Sequence, residues 1–262
     1  MTHDVYYNKQ IIKYTEGKLT QIEDTIAKEF PLTLYVNKEE FATIVCTPKY
    51  LRELALGFLA SEGVIRKHSD IKSFHLDDSK GLCHVELTQP FDNSHNPTKR
   101  MISSCCGKSR QFYFVNDVKT SKIATTIRTI SPDEIFYLMN TMQQKSTDFK
   151  VTGGLHNAAI SDGKDFYLHR NDIGRHNALD KLYGHCILNH IPIKDKVLIF
   201  SGRISSEILI KASKIGVGII LSKSAPTDLA IALADDLNIT AVGFARNDTF
   251  NVYSHPERIT TK

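Results

Sequence analysis

The sequence predicts a mixed α/β protein with two parts, a β-rich part over residues 1–125 and a layered α/β part over residues 126–262. The first part holds short β-branched and apolar runs joined by polar turns, which is typical of hairpins. The last part alternates strand and helix patterns, which indicates parallel strands joined by right-handed crossovers. A chain of 262 residues is long enough to bury a substantial core.

Two hairpins and one helix are predicted in the first part. The runs on either side of "NKEE" in "EFPLTLYVNKEEFATIVCT" form one hairpin, and "IKSFHLDD" and "LCHVELTQ" form the second. Between them, "TPKYLRELALGFLASEGVI" predicts a helix with Thr47 as its N-cap, Pro48 as its first residue and Gly63 as its stop. Residues 92–110 are polar and predict a long exposed loop.

The second part begins with a helix over "SPDEIFYLMNTMQQKS", capped by Ser131 and started by Pro132. "LHNAAISDGKDFYLHRN" predicts two strands around an Asp-Gly turn, and "RHNALDKLYGHCILNH" predicts a helix. Strands over "KVLIFSG", "VGIILSKS" and "ITAVGFAR" then alternate with helices over "ISSEILIKASKIG" and "PTDLAIALADDLN". These strands are almost continuously apolar, as expected for a sheet covered on both faces.

Each of these three strands ends in polar residues that include a cation, namely Arg203, Lys223 and Arg246. Ligands bind at the carboxyl edge of such a sheet, and helix amino termini there attract anions. We therefore expect the three cations to converge on one negatively charged group; the alternative is that they are solvated loop ends.

Composition narrows the classes of function. The formal net charge of +4 is scattered along the chain, which favours an anionic ligand over nucleic acid. The amino terminus lacks a signal-peptide pattern and no apolar run reaches membrane-spanning length, so we expect a cytoplasmic protein that binds no membrane. Of the five cysteines, Cys46, Cys83 and Cys186 lie in apolar runs and are predicted to be buried, reduced thiols.

The remaining two, Cys105 and Cys106, are adjacent in "RMISSCCGKSRQF". A phosphate-binding loop would need glycine at position 102, which is Ile102, and neighbouring cysteines lack the spacing of a zinc site. A zinc-deaminase motif is also missing, because no glutamate follows His156 at the required position. A disulfide between neighbours is strained and conceivable only as a transient state. Nearby basic residues instead favour a reactive thiolate.

Polar groups are dense in two central segments, more than capping requires: His156, Asp172, Arg175, His176, Asn177 and Asp180. Five motifs in order, "TGGLHNAA", "DIGRHNALDKLYG", "SGRISSEILIKA", "ILSKSAPTDLAIALA" and "VGFARND…NVYSHPERI", closely resemble the formate dehydrogenase accessory sulfurtransferase family, FdhD. The resemblance runs from about "FPLTLYVN" to the carboxyl terminus.

The resemblance implies a sulfurtransferase that acts through a cysteine persulfide. Members of this family take sulfur from a cysteine desulfurase and pass it to the molybdenum cofactor, in its bis(molybdopterin guanine dinucleotide) form, for formate dehydrogenase. The cofactor is then a bound substrate, and no intrinsic metal is expected. The resemblance also implies a cytidine-deaminase-like fold without zinc in the second part, and a homodimer is compatible with it.

Site residues follow from the same resemblance. Many members have a C-G-x-C-G loop where this chain has "SCCGK", so the spacing of the two cysteines differs. Cys106 is the expected sulfur carrier because it precedes a glycine, and Cys105 is the second choice or a resolving partner. The cofactor-binding segment is expected at Phe244, Ala245, Arg246, Asn247, Asp248 and Thr249. Asn247 and Asp248 depart from the usual pattern of the family. Phe244 could equally be a core residue that ends its strand. The alternative function is a non-catalytic chaperone for the same cofactor.

Overall fold

Three sheets make up the β structure of the computed structural model, which describes residues 4–90, 101–102, 121–163 and 165–260. The mixed α/β class predicted from the sequence is confirmed. Seven strands precede residue 103: β1 Tyr6–Thr15, β2 Lys18–Ala27, β3 Phe30–Val36, β4 Glu39–Cys46, β5 Ile71–Asp77, β6 Leu82–Leu87 and β7 Met101–Ile102. The first two form a separate hairpin, and the other five form a sheet in the order β5-β6-β3-β4-β7.

Both predicted hairpins are confirmed, since β3 pairs with β4 and β5 with β6 in antiparallel fashion. The β1–β2 hairpin was not predicted, because most of its residues are exposed on both faces and show no apolar alternation. The predicted loop over residues 92–110 is wrong at one point: Met101–Ile102 pairs in parallel with β4 at Thr43 and Ile44. The rest of that segment lies outside the described residues.

The first helix, α1 Leu51–Ser61, starts later than predicted. Thr47 is not its N-cap and Pro48 is not its first residue; the preceding residue is Tyr50, in the left-handed region at φ 59°. Thr47 is engaged elsewhere, because its N–H and its hydroxyl both donate to Asp172 Oδ2, at 3.0 and 2.9 Å. The predicted stop is correct, since Gly63 has a φ of +76° just beyond the helix end.

The second part supplies five helices and six strands. The helices are α2 Pro132–Lys145, α3 Thr147–Thr152, α4 Arg175–Leu188, α5 Ser206–Ile215 and α6 Asp228–Asp236. The strands are β8 His156–Ser161, β9 Phe166–Asp172, β10 Val197–Phe200, β11 Ile219–Ser222, β12 Thr240–Arg246 and β13 Thr249–Ser254. They form one sheet in the order β13-β12-β11-β10-β8-β9, in which β10, β11 and β12 are parallel, as predicted. Strand β13 was not predicted.

Helices cover both faces of this sheet. Leu198, Phe200 and Ile220 point to a core that continues through α1 into the first part, while Ile199 and Leu221 point to a second core beneath α2. Helix α2 is capped as predicted, because the Ser131 hydroxyl accepts the Glu134 N–H at 3.2 Å. The division at residues 125/126 stays a prediction. None of the helices in the described ranges is both long and apolar enough to cross a membrane.

Helices α1 and α4 meet backbone to backbone. A Cβ built on Gly57 would lie 1.7 Å from the Asp180 carbonyl oxygen, and one on Gly184 would lie 1.8 Å from that of Glu53. Ion pairs surround this contact: Asp172 with Lys181 at 2.6 Å, Asp180 with Lys211, and Glu53 with Arg170 at 2.5 Å. We call α1, α4 and these three ion pairs the α1–α4 seam.

Candidate functional site

The ends of β10, β11 and β12 lie side by side and are joined by hydrogen bonds. The Ser222 hydroxyl donates to the Gly202 carbonyl oxygen at 2.6 Å, and the Phe244 N–H donates to that of Ser224 at 3.4 Å. We call the surface formed by residues 201–203, 222–224 and 244–249 the carboxyl edge. It lies where ligands bind in open α/β sheets.

Three helices begin at this edge. Helix α5 follows β10 and is capped by the Ser205 hydroxyl, which accepts the Ile208 N–H at 3.4 Å. Helix α6 follows β11, and α4 follows β9, which runs in the same direction as β10 because both are antiparallel to β8. Helix amino termini carry unpaired N–H groups and a partial positive charge. The carboxyl edge is therefore suited to a ligand with several anionic groups.

The three cations predicted from the strand ends differ in their surroundings. Arg203 is exposed, Lys223 Nζ donates to Gln143 Oε1 on α2 at 3.0 Å, and the Arg246 guanidinium lies 5.9 Å from the centre of the Phe244 ring. The strand ends are adjacent, but Lys223 is held toward α2. Convergence of the three side chains on one anion stays a prediction.

The segment expected to bind the cofactor forms the turn between β12 and β13. Three of its residues have positive φ: Phe244 at 52°, Asn247 at 49° and Asp248 at 58°. Between them Ala245 is fully buried, whereas Phe244 is 36% exposed and is not a core residue. The Thr249 hydroxyl donates to the Arg246 carbonyl oxygen at 3.1 Å and closes the turn.

Phe244 is the unusual residue of this turn. A bulky side chain at positive φ is rare and raises the energy of the backbone. The register of the β12–β13 pair shifts between Gly243 and Arg246, so a bulge accommodates this conformation. The result is an exposed aromatic ring beside an exposed arginine, a combination that can stack on a planar ligand and bind a phosphate.

His156, the first residue of β8, lies beside the carboxyl edge. A Cβ on Gly202 would be 3.6 Å from His156 Nδ1, so this imidazole closely approaches the end of β10. Burial lowers the pKa of His156, Arg175 lowers it further, and Asp172 opposes both. His156 is therefore held toward its neutral form, which can accept a proton or a hydrogen bond.

Glu207 adds a carboxylate that the sequence did not single out. Its Oε2 lies 3.1 Å from His176 Nε2, which joins the first turns of α4 and α5. The signal available in the sequence was an acidic residue in the first turn of a predicted helix.

The polar residues of the central segments divide into two groups. His156, Arg175 and His176 lie near the carboxyl edge, whereas Asp172, Asn177 and Asp180 are buried. Asp172 Oδ1 accepts from the Gly174 N–H at 2.8 Å and from Asn177 Nδ2 at 2.9 Å. These buried groups organise the interior and the start of α4.

The three cysteines predicted to be buried are buried and reduced, which confirms that prediction. Burial raises the pKa of the Cys46 thiol far above its usual range, and raises those of Cys83 and Cys186 to about 12. Thiolate is the nucleophilic form, so none of the three is suited to attack sulfur near neutral pH. Cys105 and Cys106 lie outside the described residues.

Comparison with known proteins matches the chain to the FdhD/NarQ family over residues 27–260. It is 61% identical over 260 residues to the sulfur carrier protein FdhD of Staphylococcus haemolyticus (strain JCSC1435), covering 99% of this chain and 98% of that protein. It is 60% identical over the same length to the protein of that name from Staphylococcus aureus (strain MRSA252), with the same coverage of 99% and 98%.

A similar fold occurs in the crystal structure of a candidate formate dehydrogenase accessory protein from Desulfotalea psychrophila. The TM-score is 0.81 at 22% identity, covering 98% of this chain and 100% of that one. Matches of this extent in sequence and family model leave one assignment. The chain belongs to the FdhD/NarQ family.

Proposed function

We propose that this protein carries sulfur as a cysteine persulfide, from a cysteine desulfurase to the molybdenum cofactor destined for formate dehydrogenase. The curated relatives are named sulfur carrier proteins, which supports the general role. The donor, the persulfide, the bis(molybdopterin guanine dinucleotide) form of the cofactor as substrate, and a cytoplasmic location belong to the proposal.

One observation carries the assignment of the thiol. Three of the five cysteines are buried, with pKa values raised by burial, which leaves Cys105 and Cys106 as the carrier candidates. Cys106 thiolate would attack the outer sulfur of the donor persulfide, form a new S–S bond and release the donor as its thiolate. Basic residues close to Cys106 in sequence would stabilise both the thiolate and the persulfide anion.

The direction of β7 supports delivery to the carboxyl edge. Met101–Ile102 runs parallel to β4, and β4 leads to Thr47, which hydrogen-bonds Asp172 at the end of β9. The strand that precedes the cysteine pair therefore points along the sheet toward the side where α4 begins. A cofactor bound at the carboxyl edge would lie on that side.

The proposed role of the carboxyl edge is to hold the guanine dinucleotide part of the substrate. Helix amino termini and Arg246 would bind phosphate, and the exposed Phe244 ring would stack on a planar base. Neutral His156 would face the bound substrate without adding charge.

Sulfur loading tests the carrier. The wild-type protein is incubated with a cysteine desulfurase and cysteine, and the mass of each cysteine-containing peptide is measured. We expect one added sulfur on Cys106, no loading of C106A, and normal loading of C186A, which keeps both adjacent thiols. Loading of C106A at Cys105 would reassign the carrier. If the C105A/C106A double variant still supports formate dehydrogenase activity, the chaperone function replaces sulfur transfer.

Guanine nucleotide binding tests the carboxyl edge separately. Calorimetric titration with GDP, a fragment of the proposed substrate, is expected to show a loss of about 2 kcal/mol for R246A, the range of a hydrogen bond to a charged group. K9A, at an exposed lysine of β1, serves as the control and should bind GDP like wild type. Equal affinity of R246A and wild type would contradict the proposed contact.

A further inference from the structure

A basic groove lies at the other end of the six-stranded sheet from the carboxyl edge. It has a volume of about 420 Å³ and is bounded by residues 66–68, residues 122–125, the carboxyl-terminal ends of α4 and α5, and the chain that follows each of these helices. Strands β10 and β11 begin beyond these helix ends, so the groove lies at the amino ends of the parallel strands. The proposed sulfur transfer gives this surface no role.

The charge of the groove is of one sign. Among the described residues, no acidic side chain lines the groove. The two carboxylates nearest to it in sequence, Asp70 and Asp195, accept hydrogen bonds from neighbouring groups. Asp70 Oδ2 accepts the N–H groups of Arg66 and Lys67 at 2.7 and 3.1 Å, and Asp195 Oδ1 accepts the Thr126 hydroxyl at 2.9 Å. The basic residues lining it are Arg66, Lys67, His68, Lys122, His190 and Lys194.

Helix capping accounts for only part of this charge. Lys122 Nζ donates to the Lys214 carbonyl oxygen near the end of α5 at 2.9 Å, where a cation is favourable. Arg66 and Lys67 instead follow α1 in a loop, and Lys194 lies six residues beyond the end of α4. All three are exposed. Their accumulation beside one groove favours an anionic partner.

The groove is also apolar, which a site for a simple anion does not require. Isoleucines at 187, 191, 193 and 215 line it. On its border, residues 121–129 belong to no helix or strand: Ala124 and Thr126 are buried, while Ile123 is 65% and Ile127 is 89% exposed. Exposed apolar side chains beside a charged rim are typical of a protein interface.

We propose that this basic groove docks a segment of a partner protein in which acidic side chains flank apolar ones. The acidic groups would pair with Arg66, Lys67 and Lys194, and the apolar ones would enter between the isoleucines. Nucleic acid is disfavoured because the aromatic residue among the described lining, Tyr183, is 8% exposed and offers no face for base stacking.

The proposal rests on the proposed function only in that sulfur transfer requires meeting other proteins. A docked segment would leave the carboxyl edge open, because the two surfaces lie at opposite ends of β10 and β11. The partner and the cofactor could then be bound at the same time.

Peptide binding to the full-length protein tests the groove without sulfur or cofactor. The probe is a fluorescein-labelled octapeptide alternating glutamate and leucine, titrated at low salt by fluorescence anisotropy. The K67E/K194E variant is expected to bind it about tenfold more weakly than wild type, the scale of a loss of electrostatic complementarity. K9E/K13E makes the same change of charge on the exposed β1 strand and should bind within about twofold of wild type.

Three further probes assign the occupant. A peptide with lysine in place of glutamate should not bind, and octaglutamate should bind more weakly than the glutamate–leucine peptide. Equal affinity of wild type and K67E/K194E for that peptide would overturn the proposal, and so would octaglutamate binding as tightly. Tighter binding of a single-stranded oligonucleotide, lost in K67E/K194E, would identify nucleic acid as the occupant instead. Sulfur loading by a desulfurase is a separate assay, so failure here leaves the sulfur-carrier proposal intact.

Discussion

The α1–α4 seam and the carboxyl edge both concentrate charged residues, but the charges of the seam are largely buried and paired, whereas two arginines of the edge are exposed. In the seam, Lys181 is fully buried, and its Nζ lies 2.6 Å from the Asp172 carboxylate. At the carboxyl edge, Arg203 and Arg246 are exposed to solvent. A buried charge must be fully paired within the protein, whereas an exposed one is available to a ligand.

The difference separates stability from binding. Seam residues are expected to affect the free energy of unfolding strongly, because each partner that is removed leaves a buried charge unpaired. Edge residues are expected to affect stability little and ligand binding strongly. Three positions test this contrast, in order of expected effect on stability.

The Asp172→Ala change should have the largest effect on stability. It removes five hydrogen-bond and ionic contacts, from Thr47, Gly174, Asn177 and Lys181, and leaves the Lys181 charge buried. We expect a loss of about 3–5 kcal/mol in the free energy of unfolding, measured by urea denaturation. Asp236→Ala, at an exposed position, should change it by less than about 0.5 kcal/mol. Similar losses for both variants would contradict the contrast.

The Gly184→Ala change should separate the two helices of the seam. Its Cβ would be placed 1.8 Å from the Glu53 carbonyl oxygen, which cannot move without moving α1. We expect a loss of about 1–3 kcal/mol, measured in the same way. Gly154→Ala is the matched control, since the nearest atoms to its Cβ would be 3.8 Å away. If Gly184→Ala left the free energy of unfolding unchanged, the two helices could not be in close contact.

At the carboxyl edge, Phe244→Gly and Phe244→Ala differ in backbone strain, which is only partly offset by the greater unfolded-state entropy of glycine. Both remove the exposed ring, but alanine keeps the penalty of a side chain at φ 52°. Glycine should therefore be more stable than alanine by about 1 kcal/mol. Thermal and urea denaturation measure this difference. A more stable alanine variant would mean that residue 244 is not in the left-handed region.

A pH dependence is expected at His169 of β9, which lies outside both regions. Burial, with a further contribution from Arg170, lowers the pKa of His169 from 6.5 to about 4. Between these values the unfolded chain binds a proton that the folded chain does not, so stability should fall as pH decreases from about 6.5 to 4. His169→Gln should reduce this slope in urea denaturation at each pH, while His190→Gln, at an exposed position, should leave it unchanged. An unchanged slope in His169→Gln would contradict the shift.

Local sequence patterns predicted the parallel strands of the second sheet because their apolar runs are nearly continuous. They also predicted the helix that starts after Ser131, whose capping partner Glu134 is three residues away. They failed for Thr47, since its partner Asp172 lies 125 residues along the chain. The burial of Lys181 was not predictable either, because lysine side chains are usually exposed unless they are paired with a partner that the local sequence does not show.

The candidate site was predictable in position but not in conformation. Strand order placed Arg203, Lys223 and Arg246 at one edge, since parallel strands end together. Positive φ at Phe244 opposes the intrinsic preference of an aromatic residue, so no local pattern indicates it. Pairing of Glu207 with His176 depends on how α4 and α5 pack, which the sequence does not show.

The glycine contact between α1 and α4 also bears on how the molecule unfolds. With no side chain between the two backbones, no change of rotamer can absorb a small displacement of one helix against the other. The two sheets share the core that these helices complete. Loss of that contact would expose the core of both the five-stranded and the six-stranded sheet. We therefore expect these two sheets to unfold as one cooperative unit.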